Sequence, residues 1–182
     1  MAVDIGLRRN RTAIAAVIVG LIAVGALVAF RTRAALVPSA IHLADGTEVF
    51  FLSDTRVEPA GSYPKLREIR VDGDAFLRVT AGAAPLVVRT RLLVLTVSGE
   101  SALRVQAYWK QTGEQVEVLS GNVQARKSYP STYSEPDQLT GGEMSMVNQT
   151  IDLMEKEKFD PAPLREWSAA LIASTRRAPD PP

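Results

Sequence analysis

The chain of 182 residues has no cysteine and a single histidine, and those two shortages exclude more chemistry than any motif supplies. Without cysteine there is no disulfide to staple a fold, no thiolate nucleophile and no soft metal ligand. His42 has no second imidazole or thiol with which to complete a metal site, and it lacks a nucleophile motif with which to form a triad. Excess positive charge is lacking too. Outside the Arg-rich N-terminal segment, setting aside Arg8, Arg9, Arg11, Arg31, Arg33 and Asp4, 16 basic residues face 19 acidic ones, a balance that argues against nucleic acid as a partner. Ser98-Gly99-Glu100-Ser101 lacks the flanking glycines of a nucleophile elbow. Gly141-Gly142 is too short to cradle a phosphate. The acid pairs Asp72/Asp74 and Glu155/Glu157 read as turn and surface charge. No catalytic, cofactor-binding or metal-ligating residues are assigned, and the chain is not expected to be an enzyme.

What the chain does have is one long uncharged run, Ala13 to Phe30. Eighteen residues at a helical rise of about 1.5 Å reach roughly 27 Å, close to the hydrocarbon thickness of a bilayer. Arg8, Arg9 and Arg11 bound it on one side and Arg31 and Arg33 on the other, as the cost of a central arginine requires. The run therefore predicts a single transmembrane helix over 13–30. A cytoplasmic stub over 1–12 would precede it and a tether over 31–40 would follow, with the bulk of the chain on the far side of the membrane. A cleavable signal peptide competes with this reading. Its core would be shorter, however, and the candidate cleavage site Pro38-Ser39-Ala40 has proline where a small residue is wanted. The pairs Ala16/Gly20 and Gly25/Ala29 would let two such helices approach, giving weak self-association in the lipid.

From Ile41 onward the pattern is that of β structure. Asp45-Gly46 between two apolar runs predicts a hairpin with a two-residue turn. Short runs follow at Ile69–Val71, Ala75–Val79, Leu86–Thr90 and Leu92–Val97, separated by turn residues that include Asp72-Gly73-Asp74. Leu92–Val97 is almost wholly apolar and should be a central strand covered on both faces. Leu103, Val105, Ala107 and Trp109 alternate with Arg104, Gln106 and Tyr108, which predicts a half-buried strand with Trp109 inward. Val116 and Val118 repeat the pattern before Ser120-Gly121-Asn122, a turn or bulge, and Val123 and Ala125 repeat it after. Residues 127–138 read as an exposed loop whose Tyr129 and Tyr133 could touch a partner. Glu143–Val147 and Thr150–Met154 fit either a last pair of strands or a helix. Asp160, Pro161 and the spacing of Leu164, Trp167 and Leu171 predict a C-terminal helix of about three turns, ended near Arg176 and Arg177. The tail 178–182 is expected to be disordered. The fold class is thus mainly β, a sandwich or short solenoid, with one short C-terminal helix.

Several of these pieces stand in a familiar order. Leu43 to Val49 (LADGTEV), Arg70 to Val79 (RVDGDAFLRV), Pro85 to Thr90 (PLVVRT), Leu103 to Tyr108 (LRVQAY), Val116 to Val123 (VEVLSGNV) and Leu139 to Glu143 (LTGGE) together resemble the FecR domain of bacterial periplasmic sensor proteins. The resemblance covers about 41–147. Phe159, Pro163, Leu164, Glu166 and Leu171 are similar to the helix of that family's small C-terminal module, here partial over 148–177. It implies an inner-membrane protein of signal transduction and sigma-factor regulation, with no cofactor, that works by binding a periplasmic or membrane protein. An outer-membrane transporter's signalling domain is one such partner. Only Met1–Thr12 precede the expected membrane helix, too few to fold the family's cytoplasmic sigma-binding segment. An anchored interaction module of the periplasm without transcriptional output is therefore the alternative expectation.

Overall fold

The structure, a computed structural model, describes residues 37–133 and 135–176. The expected stub, membrane helix, most of the tether and the tail lie outside the described residues. Among the described residues no helix is long and apolar enough to cross a membrane.

β1 (Pro38–His42) and β2 (Glu48–Leu52) form the hairpin expected around Asp45-Gly46, with Ile41 opposite Val49 and His42 opposite Glu48. Its loop is longer than expected, Leu43 to Thr47, because the Leu43 N–H donates to the Thr47 carbonyl at 2.8 Å and Gly46 alone turns to positive φ, +84°. Pro38, expected to lie within the tether, opens β1, so the domain starts earlier than Ile41. An edge strand tolerates proline because half its amides face no neighbour.

The largest departure is in strand length. β3 (Arg56–Pro59) is followed by β4 (Glu68–Val79), β5 (Leu86–Arg89), β6 (Leu93–Ala107) and β7 (Gly113–Lys127). The expected turn at Asp72-Gly73-Asp74 lies inside β4, and Ser98-Gly99-Glu100-Ser101 lies inside β6. Gly121 marks a bulge inside β7, the second of the two alternatives its sequence offered. Gly73, Gly99 and Gly121 all have positive φ, at +127°, +73° and +93°. At each of them a strand changes partners without stopping. A Cβ on Gly73 would sit 2.7 Å from the Thr55 Cα, and one on Gly121 would sit 2.0 Å from the Ser101 Oγ, so neither position has room for a side chain.

These bends fold one ten-stranded sheet into two halves. In the first, β3 and β5 flank the start of β4, the start of β6 pairs β5, and the end of β7 joins β6 to β8 (Asp137–Thr140). In the second, β1 and β2 extend the end of β4, which pairs the end of β6; the start of β7 then joins β9 (Glu143–Asn148) and β10 (Leu153–Lys158). The last pair of elements is thus a strand hairpin and not a helix. Val71, Val88, Leu95 and Val123 from the first half and Leu77, Val105, Val116 and Val147 from the second pack into one apolar cluster. Each such side chain contributes about 1.5–3 kcal/mol by leaving water. Leu93, Leu95 and Val97 are buried on the inward face of β6, which lies mid-sheet as expected, but among the described residues no element covers its outward face, where Thr96 is only partly buried.

Trp109 departs from expectation. Leu103, Val105 and Ala107 do point inward, but β6 ends at Ala107 and Trp109 is 64 % exposed. The ladder to β7 stops at Gln106 opposite Gln115, and the chain turns there, with the Gln111 N–H donating to the Tyr108 carbonyl at 2.9 Å. A period of two has no meaning past the last ladder pair.

The helix α1 (Pro161–Thr175) is capped by Asp160, whose Oδ1 accepts the Ala162 N–H at 3.0 Å, and it runs to about four turns, one more than expected. Arg176 is its C-cap residue. Leu164 and Leu171 pack with Phe50 and Phe76 on the outer face of the second half-sheet. The expected boundary between 147 and 148 falls inside β9, and β10 and α1 extend and cover the same sheet.

Candidate protein-binding surface

The outer face of the second half-sheet has a covered part and an open part. Beneath the helix, the outward positions of β2, β4, β6 and β7 carry Phe50, Phe76, Ala102 and Leu119. Trp167 meets Phe76 edge to face, with ring centroids 6.4 Å apart and planes at 80°. Arg104, outward on β6, lies with its guanidinium 3.8 Å from the centroid of the Trp167 ring. It donates to both oxygens of Asp74, from Nε at 2.8 Å and from Nη2 at 2.6 Å, with Glu117 at 3.6 Å. Burial works against the charge of Arg104, but Asp74 and Glu117 outweigh it and raise its pKa. Burial pushes the Glu117 carboxyl up, against the lowering influence of Arg104. The arrangement ties helix to sheet through one cation that stacks and pairs at once.

Beyond the helix the same face is open. Gln106, Tyr108, Gln115, Met146 and Leu153 line a groove of about 760 Å³, with Ile151 at its rim, 66 % exposed. Burial and the carboxylates of Asp54 and Asp74 push the Tyr108 hydroxyl up to about 12, so it stays a proton-bearing donor at any working pH. Apolar side chains at the surface, mixed with amides, a hydroxyl and the charges of Lys110 and Glu155, are the makings of a protein contact.

The residues weighed for chemistry occupy other roles. Asp72 accepts the Trp109 N–H at 3.0 Å and Asp74 holds Arg104. His42 faces solvent on edge strand β1 beside Glu48, 3.4 Å away. Glu155 and Glu157 lie on β10, whose far edge has no neighbour among the described residues. Gly141-Gly142 is the β8–β9 turn. No group of three or more His, Asp or Glu among the described residues could hold a metal. Of the two loop tyrosines, Tyr133 is exposed, while Tyr129 packs against the core.

Three buried charges had no signal in the sequence. Arg67 joins three loops, reaching Asp45 Oδ2 at 2.7 Å and the carbonyls of Ala84 at 2.6 Å and Thr80 at 2.8 Å. Burial pushes the Asp45 carboxyl up, but Tyr63, the Thr47 amide and Arg67 outweigh that and hold it below its ordinary value. Lys127, only 2 % exposed in its side chain, was expected to open an exposed loop. Instead it ends β7 and donates to Ser131 and Asp152, pinning that loop to the β9–β10 turn. Glu114, fully buried, accepts from the Thr90 hydroxyl and from the Leu92 N–H at 3.0 Å, and burial pushes its pKa up.

No family model matches the chain, and no curated protein matches it. Solved structures do. Two crystal structures from Parabacteroides distasonis, each described as a "putative anti-sigma factor", superpose with TM-scores of 0.63 and 0.62 at 25 % and 26 % identity. Each match covers 72 % of this chain and 60 % of the neighbour, so the chain spans less than two thirds of those proteins.

Proposed function

We propose that the chain is a signalling regulator of FecR type. Its outer domain binds a periplasmic or membrane protein in a sigma-factor-linked pathway, and the run Ala13–Phe30 holds it in the inner membrane with the domain on the periplasmic side. The likeness to the anti-sigma structures over 72 % of the chain carries this reading. The order of the motifs from Leu43 to Glu143 supports it, and the groove between Gln106 and Leu153 offers a surface for the contact. An outer-membrane transporter's signalling domain is a partner of the right kind.

The test is a strain without the protein, profiled by RNA sequencing and complemented by the full chain. A coordinated shift in the genes read by one sigma factor, reversed by complementation, is the expected result. Unchanged transcripts would leave an anchored interaction module in its place. Topology is tested separately: alkaline phosphatase fused after Thr175 should be active, and a dark enzyme there would reverse the orientation.

A further inference from the structure

The outer face of the first half-sheet carries a feature that the groove does not explain. Arg70 lies opposite Arg89 across β4 and β5, Arg89 opposite Val94 across β5 and β6, and Val94 opposite Arg126 across β6 and β7. The four residues form one row perpendicular to the strands, spanning three steps of about 4.8 Å each. The inward neighbours Ile69, Val71, Val88, Leu93, Leu95 and Ala125 are all buried, which fixes the arginines on the outward side. Val94 is only 5 % exposed although it faces outward between Arg89 and Arg126. Arginine stems cover apolar surface in this way while their heads remain in water.

At the end of this row a cleft of about 380 Å³ is lined by Arg70, Arg89, Arg91, Val94 and the exposed Trp109. The carboxylates that face the row are already engaged: Glu68 accepts from Arg89 Nε at 2.8 Å, Asp72 accepts from the Trp109 amide, and Glu58, opposite Arg70 across β3 and β4, pairs with Arg56. Arg91 donates to Gln149 Oε1 at 2.9 Å, and Arg70 and Arg126 have no carboxylate partner among the described residues. Like charges opposed on neighbouring strands destabilise a sheet. An anion laid across the row removes that repulsion.

We infer that the arginine row and Trp109 form a docking surface for an extended acidic segment of a partner protein. Charge complementarity selects the occupant, in a chain whose acidic residues otherwise outnumber its basic ones outside the N-terminal segment. This chain's own residues 1–36 carry Arg8, Arg9, Arg11, Arg31 and Arg33 against Asp4 alone, so they have the wrong sign to fill it. An extended chain presents alternate side chains roughly every 7 Å, so two or three carboxylates match the width of the row. Tryptophan and arginine are the side chains on which protein interfaces most often depend. The inference does not require that the partner belong to a sigma-factor pathway.

Fluorescence anisotropy with the full chain in nonionic detergent tests this, using a labelled decapeptide of alternating glutamate and threonine and its glutamine counterpart. The glutamate peptide should bind at least about tenfold more tightly than the glutamine one, a difference of ~1.4 kcal/mol. Salt should weaken it. The double substitution Arg70→Gln and Arg126→Gln should remove most of that preference while leaving the melting midpoint unchanged or raised, since it relieves the repulsion within the row. Trp109→Ala should weaken binding without lowering the midpoint. Arg78→Gln with Arg165→Gln, both exposed on other surfaces, should change nothing. Equal binding of the two peptides, or a preference indifferent to Arg70 and Arg126, would overturn the inference. So would a short-chain phosphatidylglycerol that binds through these arginines while the glutamate peptide does not.

Discussion

β4, β6 and β7 each run through both half-sheets, yet they turn different chemistry outward in each. In the second half they present Phe76, Ala102 and Leu119 to the helix; in the first they present Arg70, Thr96, Gln124 and Arg126 to water. The difference is one of cover. β4 shows it most plainly: under α1, Ala75, Phe76 and Leu77 are buried in succession, while before Gly73 the buried Ile69 and Val71 alternate with the outward Glu68 and Arg70. β6 differs, since Leu93, Val94 and Leu95 are buried in succession in the half without the helix, where arginine stems beside Val94 take its place. In β4 one strand therefore carries two hydropathy patterns, and Gly73 marks where the cover changes.

Breaking the glycine bends should have the largest effect. Gly121→Ala combines a left-handed φ, costing about 1–2 kcal/mol, with overpacking against Ser101 that costs about 1–3 kcal/mol more. Gly73→Ala meets Thr55 in the same way. Urea unfolding should show losses of roughly 3–4 kcal/mol in both variants. A variant within about 1 kcal/mol of the parent would mean that the two halves do not join at that residue.

Next in size is the cover itself. Trp167→Ala removes the ring that packs on Phe76 and carries the Arg104 guanidinium, and it should cost about 3–4 kcal/mol. Asp74→Ala leaves Arg104 half-buried without its bidentate partner. About 2–4 kcal/mol is expected, below the full cost for a buried pair because Arg104 keeps some solvent. If both variants unfold at the parent's urea midpoint, the helix is not part of the cooperative unit.

The pH dependence separates two carboxylates, the half-buried Asp45 and the buried Glu114. Asp45, held low chiefly by its hydrogen-bond partners against burial, contributes stability above its unfolded pKa that is lost as pH falls through its folded value. Glu114, pushed up by burial, has the opposite sign: the folded state keeps its proton longer, and stability declines as pH rises from the unfolded pKa through the folded one. Melting curves of Asp45→Asn should therefore lose slope on the acid side, and those of Glu114→Gln should lose the decline above it. Identical pH profiles for the two variants would show that neither group is shifted.

How much of this was legible from residues alone follows from the same contrast. Alternation gave the inward set of β6 and β7, and Asp160-Pro161 placed the start of the helix to the residue. What misled was glycine beside polar residues, in Asp72-Gly73-Asp74 and Ser98-Gly99-Glu100-Ser101, because a bulge inside a long strand uses the same residue types as a turn between short ones. Arg67, Glu114 and Lys127 could not be read as buried, since each depends on loops far apart in the chain. The row Arg70, Arg89, Arg126 was equally invisible: it exists only once four strands, β4 to β7, are in register.

The smallest expected effect sharpens the comparison most, because it sets one tryptophan against the other. Trp109 continues the alternation of Leu103, Val105 and Ala107, and on that pattern its removal would cost as much as a core aromatic. It stands instead past the last ladder pair, with most of its surface in water and its backbone N–H on Asp72. A substitution leaves that backbone bond in place. Trp109→Ala should therefore change stability by no more than about 0.5 kcal/mol, the ordinary range of a surface change, while Trp167→Ala costs several times that. Tyr108→Ala is the internal control: Tyr108 is half-buried, so its loss should exceed that of Trp109 and reverse the order that alternation predicts. Urea titration of the three variants decides it. A loss at Trp109 equal to that at Trp167 would place its ring in the core and remove the exposed aromatic from the end of the arginine row.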